Sequence, residues 1–199
     1  MSGAFLSCLV LAAGASSRFG RPKQLLPFRG KTLLGWTVSQ FEACSALDEV
    51  VVVLGNFADE IRQAVTFGRS KIVVNPAPAQ GCSASYRAGI AACDPRVDAI
   101  VVLLGDQPGV DAGVVEQVAG AWRRDGGKIV LASYRGERGH PMIFSRELFD
   151  QMIVLHGDKA VWKLVDQHQE WVKEVPVDRE RPKDINTQED YEALLSAEP

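Results

Sequence analysis

The sequence predicts an α/β fold, arranged as a three-layer α/β/α sandwich around a mainly parallel sheet. Strand-like apolar runs alternate along the chain with amphipathic stretches, which is the pattern of repeated βα units. The runs are continuous in Val, Ile and Leu, as at residues 50–54 and 99–104, and do not alternate with polar residues. Continuous runs are typical of strands buried on both faces, so helices should cover both sides of the sheet.

The elements of the first two thirds follow this alternation. Each apolar run has the length of a strand and is too short for a helix. Strands are predicted at residues 5–12, 49–54, 71–74, 99–104 and 128–133. Helices are predicted between them, at residues 33–43, 59–67, 83–92 and 112–124.

The alternation of strands and helices becomes irregular after Tyr134. A Gly- and Arg-rich loop is predicted at residues 135–141, followed by a short strand at 142–144, helices near 146–155 and 160–167, and a strand at 172–177. A closing helix begins at Gln188, with Thr187 as its N-cap and Asp190 three residues further on. Since no linker divides the chain, we expect one domain spanning residues 1–199.

The composition is that of an ordinary globular enzyme, with 46% hydrophobic and 24% charged residues in a chain of 199. The longest apolar stretches have the length of strands, so no membrane span is expected. The first positive side chain, Arg18, follows the opening apolar run, which is the wrong order for a secretion signal. The four cysteines have neither zinc-site nor C-x-x-C spacing and are expected to be free thiols, in a reducing cytoplasmic location.

The charges are unevenly distributed. Residues 1–41 contain no Asp or Glu and carry five positive side chains, whereas the whole chain has a net charge of −3. These five are Arg18, Arg21, Lys23, Arg29 and Lys31. The asymmetry indicates that the N-terminal segment meets an anion, while the overall negative charge argues against a nucleic-acid partner.

The first predicted strand runs directly into a turn of small residues, which we call the glycine loop, residues 14–23. Small residues let backbone N–H groups approach phosphate oxygens, and cations neutralise phosphate charge. Five residues separate Gly14 from Gly20 and no Lys-Ser/Thr pair follows, so this is not a Walker loop. It also lacks the G-x-G-x-x-G spacing of a dinucleotide fingerprint. The loop therefore predicts phosphate binding of another kind.

Motifs along nearly the whole chain resemble those of the nucleotidyltransferases that act on molybdopterin and on sugar phosphates. Within that superfamily the sequence is most similar to the molybdenum cofactor cytidylyltransferases, chiefly because of the Gln after Asp106 and the Gly-His-Pro segment. In order, the motifs are Leu11-Ala-Ala-Gly-x-Ser-x-Arg-x-Gly-x-x-Lys23, Leu25-Leu-Pro-x-x-Gly30 with Leu33-Leu34, Asn75 with Gly81-x-Ser-x-Ser-x-Arg-x-Gly89, Gly105-Asp-Gln-Pro108, Gly139-His-Pro141 and Asp184-Ile-Asn-Thr-x-Glu-Asp190.

The resemblance implies a Rossmann-like nucleotidyltransferase fold and transfer of CMP from CTP to molybdopterin, with release of pyrophosphate. It implies Mg²⁺ as cofactor, with Mn²⁺ as the alternative. Residues at about 1–110 would form a nucleotide-binding half and those at about 111–199 an acceptor-binding half. A molybdoenzyme or its maturation chaperone would be a partner.

Transfer requires an in-line acceptor, a divalent metal across the phosphates and cations for the developing charge, and no protein nucleophile. We therefore assign catalytic roles to Arg18, Lys23 and Asp106, with Arg18 and Lys23 on the β- and γ-phosphates. The expected nucleotide-binding residues are Leu11, Ala12, Ala13, Gly14, Ala15, Ser16, Ser17, Arg18, Lys23, Asn75, Gly81, Ser83 and Ser85. Ser83 or Ser85 could bond the base edge, and Ser83 could instead only cap the next helix.

Asp106 follows a buried strand at its carboxyl end, where ligands of open α/β sheets collect, and suits Mg²⁺. It could also merely start the turn before Pro108. The family resemblance implies a second metal contact at Asp184 or Asn186. The family's usual Asp is Asn186 here and its usual Pro is Gln188, and an amide oxygen can still bind the metal.

The acceptor-binding residues implied by the resemblance are Gln107, Pro108, Gly139, His140 and Pro141. His140 is expected in a Gly-rich loop close to Arg135 and Arg138. There it could contact an anionic acceptor, or it could only stabilise a turn. It is not expected to be a general base, because a phosphate acceptor is already ionised near neutral pH.

Three alternative functions remain open. The same chemistry could use GTP with molybdopterin, or another NTP with a sugar or alditol phosphate. A non-catalytic module could bind nucleotide and deliver cofactor to a molybdoenzyme. An NAD-linked oxidoreductase is disfavoured because the dinucleotide fingerprint is absent.

Overall fold

A computed structural model describes residues 3–16, 18–155 and 160–197. The expected nucleotide contact Ser17 lies outside these residues. A seven-stranded sheet forms the centre, in the order β5-β4-β1-β6-β8-β7-β9, and a separate two-stranded hairpin pairs β2 with β3. The strands are β1 Leu6–Ala12, β2 Pro27–Phe28, β3 Lys31–Thr32, β4 Glu49–Leu54, β5 Lys71–Val74, β6 Ala99–Leu104, β7 Ile129–Tyr134, β8 Glu137–Ser145 and β9 Val172–Val177.

The sheet is mainly parallel, as predicted. Strand β1 pairs in parallel with β4 and β6, β4 with β5, and β7 with β9. Strand β8 of this sheet runs antiparallel to both β6 and β7. The carboxyl ends of β1, β4 and β6 therefore meet at one edge of the sheet, where open α/β folds bind ligands.

Helices cover both faces, which confirms the predicted three layers. Alternate residues of β1 separate into two cores: Val10 packs with α1 and α4 on one face, and Leu9 packs with α3 and α6 on the other. This alternation buries both faces and accounts for the continuous apolar runs. The helices are α1 Leu33–Glu42, α2 Ala58–Ala64, α3 Cys82–Ala92, α4 Ala112–Asp125, α5 Phe149–Val154, α6 Ala160–Gln167 and α7 Gln188–Ser196.

The loop predicted at residues 135–141 was wrong. Arg135 and Gly136, at φ of 48° and 94°, form a tight turn, and β8 begins directly after it at Glu137. Gly139 already pairs with Ala132. The Arg, Gly and Pro residues of this segment have no strand pattern, but the turn brings them beside β7, whose backbone groups need partners. The expected short strand at 142–144 is thus the end of a strand of nine residues.

The alternative role of Ser83 as a helix cap was also wrong. Helix α3 begins at Cys82, and Gly81 at φ 83° is its N-cap, without a side-chain hydrogen bond. Ser83 lies inside the first turn and is buried. A glycine replaces the expected serine cap because this backbone conformation disfavours a side chain.

A third apolar cluster fixes the C-terminal segment against the start of the chain. Leu26 and Leu33 pack there with Ile185 and Tyr191. The backbone N–H of Ile185 donates to the carbonyl of Asp106 at 2.9 Å. The predicted cap of α7 is confirmed, since the Thr187 side chain accepts from Asp190 N and the two residues form a capping box. Residues 184–186 are thereby held beside the end of β6.

Within the described residues, no helix combines the length and apolar character needed to cross a bilayer.

Candidate functional site

The glycine loop is anchored to the end of β1 by Gln24. Its Nε2 donates to the carbonyl oxygen of Ala12 at 2.9 Å, and its Oε1 accepts from Ser16 Oγ at 3.2 Å. Ser16 Oγ in turn accepts from the backbone N–H of Lys23 at 3.1 Å. Gln24 is buried, so these bonds hold both ends of the loop to the sheet. Gln24 was missed from the sequence; its only signal was a polar residue between Lys23 and the apolar run that follows.

Two glycines make room for the end of β1 and for Ala13, the residue that leads into the glycine loop. A Cβ on Gly55, after β4, would lie 2.5 Å from the carbonyl oxygen of Ala13. A Cβ on Gly105, after β6, would lie 2.8 Å from Leu34 Cδ1 and 3.0 Å from Ala12 Cβ. Neither position can carry a side chain without moving its neighbours. Gly55 was also missed from the sequence.

Lys23 reaches across to the residues assigned to metal binding. Its Nζ donates to Asp106 Oδ2 at 2.5 Å and to Asn186 Oδ1 at 3.0 Å. The Lys23 side chain is 10% exposed and that of Asp106 is 21% exposed. The structure thus brings together Lys23, Asp106 and Asn186 from three distant parts of the chain, and it places the Lys23 ammonium on a carboxylate.

Asp184 completes this group. Its Oδ1 accepts from Gln107 Nε2 at 2.5 Å. Burial, followed by the negative charge of Asp106, raises the pKa of Asp184 above its usual range. Gln107 is buried, and its Oε1 has no hydrogen-bond partner among the described residues. Gln107 therefore orients Asp184, while one of its polar atoms is left unpaired.

Lys23 and Asp106 line a small cavity beside the glycine loop, together with Leu11, Ala12, Gly14, Gln24, Leu33 and Gly105. The oxygens of Asp106, Asp184 and Asn186 are ligands that hard divalent cations prefer. Asp106 bonds Lys23 through Oδ2 and Asp184 bonds Gln107 through Oδ1, so each carboxyl keeps a second oxygen for a cation and these residues fit Mg²⁺ or Mn²⁺. No group of three or more His, Cys, Asp and Glu suited to a metal occurs in the described part of the chain.

Several described residues of the glycine loop are exposed to solvent. Gly14 and Ala15 are exposed, and a Cβ on Gly14 would meet nothing within 4 Å. Arg18 is exposed and forms no ion pair with any described residue. Leu11 and Ala13 are partly buried. An outward loop with an available guanidinium is compatible with an incoming polyphosphate.

Asn75 and Ser85 are bonded to each other. Asn75 Nδ2 donates to Ser85 Oγ at 3.0 Å, and its Oδ1 accepts from the backbone N–H of Ala77 at 2.9 Å. Both side chains are buried, as is that of Ser83. They order the segment leading from β5 through Gly81 into α3. Because the Asn75 and Ser85 side chains already bond protein groups, they have fewer hydrogen-bonding groups left for a nucleotide than was expected from the sequence.

His140 lies in β8 and not in a loop, and its ring packs edge-on against Trp162 at a centroid distance of 6.2 Å. It is buried together with Pro141, while Pro108 is buried after β6. Burial, and next the positive charge of Arg181, lowers the pKa of His140 to about 4. The ring is therefore neutral at physiological pH.

The arginines expected near His140 have other partners. Arg135 pairs with Asp178 at 3.0 Å, and Arg138 pairs with Glu174 at 2.8 Å. Arg181 is the nearer cation, since a Cβ on Gly139 would lie 3.2 Å from its Cδ, and it pairs with Glu137 at 3.4 Å. Arg181 was missed from the sequence because nothing local distinguishes it from its charged neighbours.

Comparison with known proteins identifies the family. A model of the MobA-like NTP transferase domain matches residues 8–171. Nicotine blue oxidoreductase of Paenarthrobacter nicotinovorans is 36% identical over 148 residues, which cover 70% of this chain and 71% of that protein. Molybdenum cofactor cytidylyltransferase of Escherichia coli is 28% identical over 153 residues, covering 74% of each chain.

Solved structures of similar sequence have the same fold. Rv0371c of Mycobacterium tuberculosis H37Rv superposes with a TM-score of 0.90 at 37% identity, covering 98% of this chain and 100% of that one. Its complex with manganese gives a TM-score of 0.87 at 36% identity over the same shares. This chain belongs to the MobA-like NTP transferase family of nucleotidyltransferases.

Proposed function

We propose that this protein transfers CMP from CTP to molybdopterin, releasing pyrophosphate and leaving a dinucleotide form of the molybdenum cofactor. The observation that carries the proposal is the convergence of Lys23, Asp106 and Asn186 at the end of the glycine loop. Membership of an NTP transferase family supports the reaction type. The choice of CTP and molybdopterin is supported by the motifs and by the likeness to the Escherichia coli cytidylyltransferase.

The glycine loop would bind the triphosphate. Backbone N–H groups of residues 14–16 and the Ser17 hydroxyl donate to phosphate oxygens, and Arg18 and Lys23 neutralise the β- and γ-phosphates. These cations stabilise the charge that builds up on the departing pyrophosphate. No side chain need act as nucleophile, because the acceptor phosphate oxygen forms the new bond to the α-phosphorus as pyrophosphate leaves.

Asp106, Asp184 and Asn186 would hold a divalent cation, Mg²⁺ or Mn²⁺. When bound, it acts as a Lewis acid on the phosphate oxygens. A manganese complex of Rv0371c supports this choice of metal class. Gln107 would keep Asp184 aligned through its hydrogen bond.

The acceptor would lie on the side formed by residues 111–199 together with Gln107 and Pro108. Gly139, His140 and Pro141 line this side in our assignment, and Arg181 adds a cation for an anionic acceptor. A neutral His140 can donate or accept one hydrogen bond, and it supplies no charge. The domain as a whole, residues 1–199, would act as one cytoplasmic enzyme delivering its product to a molybdoenzyme or a maturation chaperone.

Pyrophosphate release with each of the four NTPs, in the presence of Mg²⁺ and purified molybdenum cofactor, tests the proposal. CTP should be consumed fastest; preference for GTP, or turnover only with a sugar or alditol phosphate, would identify a related transferase. Nucleotide binding without turnover would indicate a delivery module. Asp106→Ala should abolish turnover, while Asp59→Ala, at an exposed position of α2, should not. Unchanged activity of Asp106→Ala would remove Asp106 from the site.

A second candidate function is that of a nicotinamide-linked oxidoreductase. It is favoured by one observation, the 36% identity to nicotine blue oxidoreductase. The absence of a dinucleotide fingerprint from the sequence counts against it. Substrate-dependent loss of nicotinamide absorbance would support this candidate. Unchanged nicotinamide absorbance, in a protein that does release pyrophosphate from an NTP, would reject it.

A further inference from the structure

Lys23 occupies the space between two of the oxygens that the proposed metal would need. Its Nζ contacts Asp106 Oδ2 at 2.5 Å and Asn186 Oδ1 at 3.0 Å. Mg²⁺ binds oxygen ligands at about 2.0–2.1 Å and requires a near-octahedral shell. An ammonium bonded to the same oxygens both fills that space and repels the ion. The cation cannot bind there until the Lys23 side chain has moved.

Partial burial makes this ion pair costly to separate. The side chains of Lys23 and Asp106 are 10% and 21% exposed. Removing one partner of a buried pair leaves the other charge poorly solvated, which is strongly unfavourable. Lys23 therefore leaves Asp106 readily only when two needs are met together: Asp106 gains another cation and Lys23 gains another anion.

The local structure lets the side chain move while its backbone stays fixed. The backbone N–H of Lys23 is bound by Ser16 Oγ, and Lys23 begins a short 3₁₀ turn that ends at Leu25. Its four-carbon stem is flexible and carries three donors. Lys23 lies in the same loop that would hold a triphosphate, so the new anion would arrive within its reach.

We propose that Lys23 is an internal counter-cation that closes the metal site in the nucleotide-free protein. A metal–nucleotide complex meets both needs at once, because its metal replaces the ammonium on Asp106 and its triphosphate receives Lys23. Free metal alone meets only one. The metal is therefore admitted together with the nucleotide, and the two ligands are positively coupled through Lys23. The identity of the nucleotide rests on the proposed function.

Binding of Mn²⁺ alone to the nucleotide-free full chain tests this inference, with the free ion followed by electron paramagnetic resonance. Lys23→Met should bind Mn²⁺ at least about tenfold more tightly than the wild type, since the site is then open. Lys31→Met removes an exposed lysine of the same acid-free segment and should bind Mn²⁺ as the wild type does. Asp106→Asn should weaken binding in the Lys23→Met background. Equal or weaker binding by folded Lys23→Met would overturn the inference.

Lys23→Gln is a second neutral variant, to be used if Lys23→Met does not fold. Its polar side chain can still form a hydrogen bond with Asp106. Thermal melts establish which variants are folded. The experiment involves no turnover, so its result is separate from that of the transfer assay. Tighter Mn²⁺ binding without any pyrophosphate release would support the counter-cation and reject the proposed reaction; the reverse pattern would reject only the counter-cation.

Discussion

Gln107 donates its side-chain N–H to Asp184 at 2.5 Å, joining residues that lie 77 positions apart, and it holds the carboxyl of Asp184 beside that of Asp106. Because Gln107 is buried, solvent competes little for this bond. An orientation of this kind matters most when the carboxylate must bind a metal.

Gln107→Leu should therefore weaken activity through Asp184. We expect kcat/KM and Mn²⁺ affinity in the presence of nucleotide to fall about 10- to 100-fold, the usual effect of losing a residue that orients a ligand. Steady-state assays and Mn²⁺ titration measure this. Gln117→Leu is the matched control, since Gln117 is exposed and bonds Pro176 in the edge strand β9. Equal losses in both variants would contradict a specific role for Gln107.

Gln24→Leu should loosen the glycine loop. The carbonyl oxygen of Ala12 and the Ser16 hydroxyl would lose their partner, at a cost of about 1–3 kcal/mol in the free energy of unfolding. A less ordered loop should also bind nucleotide more weakly. Chemical denaturation and nucleotide titration test both effects. Gln63→Leu, at an exposed position of α2, should change stability by no more than about 0.5 kcal/mol.

Gly55→Ala should displace Ala13, the residue that leads into the same loop. Its new Cβ would lie 2.5 Å from the carbonyl oxygen of Ala13, and this is a backbone atom that cannot rotate away. We expect a loss of about 1–3 kcal/mol in stability and weaker nucleotide binding. Gly120→Ala is the control, because a Cβ there meets nothing within 4 Å inside α4. That variant should gain about 0.5–1 kcal/mol. Similar stabilities for the two variants would be inconsistent with the close approach of Gly55.

Buried His140 should make stability depend on pH. Its pKa is lowered from 6.5 to about 4, so between these values the unfolded chain binds the proton that the folded chain excludes. The free energy of unfolding should therefore rise as the pH increases from 4 to 6.5 and fall as the pH decreases, by at most about 1.4 kcal/mol per pH unit from this group.

His140→Gln should remove that contribution. Urea denaturation at several pH values compares the slopes of the wild type and the variant, whose stabilities should run parallel above pH 7. An unchanged slope between pH 4 and 6.5 would show that His140 is accessible to protons in the folded state.

The predictions that were confirmed depend on patterns among residues close together in the chain. The apolar runs of β1, β4 and β6 predicted the sheet, because burial on both faces leaves a continuous signal. Thr187 and Asp190 predicted the start of α7 because a capping box needs only neighbouring residues. The same reasoning failed for β8, whose first residues pair with β7 only because a tight turn folds them back.

The sequence by itself determined the layered architecture, the acid-free segment and the glycine loop, since each depends on residues close together in the chain. The tertiary structure decided that Lys23 bonds Asp106 and Asn186, 83 and 163 positions away. It also decided that His140 is buried beside Trp162. These contacts arise because parallel strands gather their carboxyl ends at one edge, and because Ile185 packs beside Leu26 and brings the C-terminal segment to the same place.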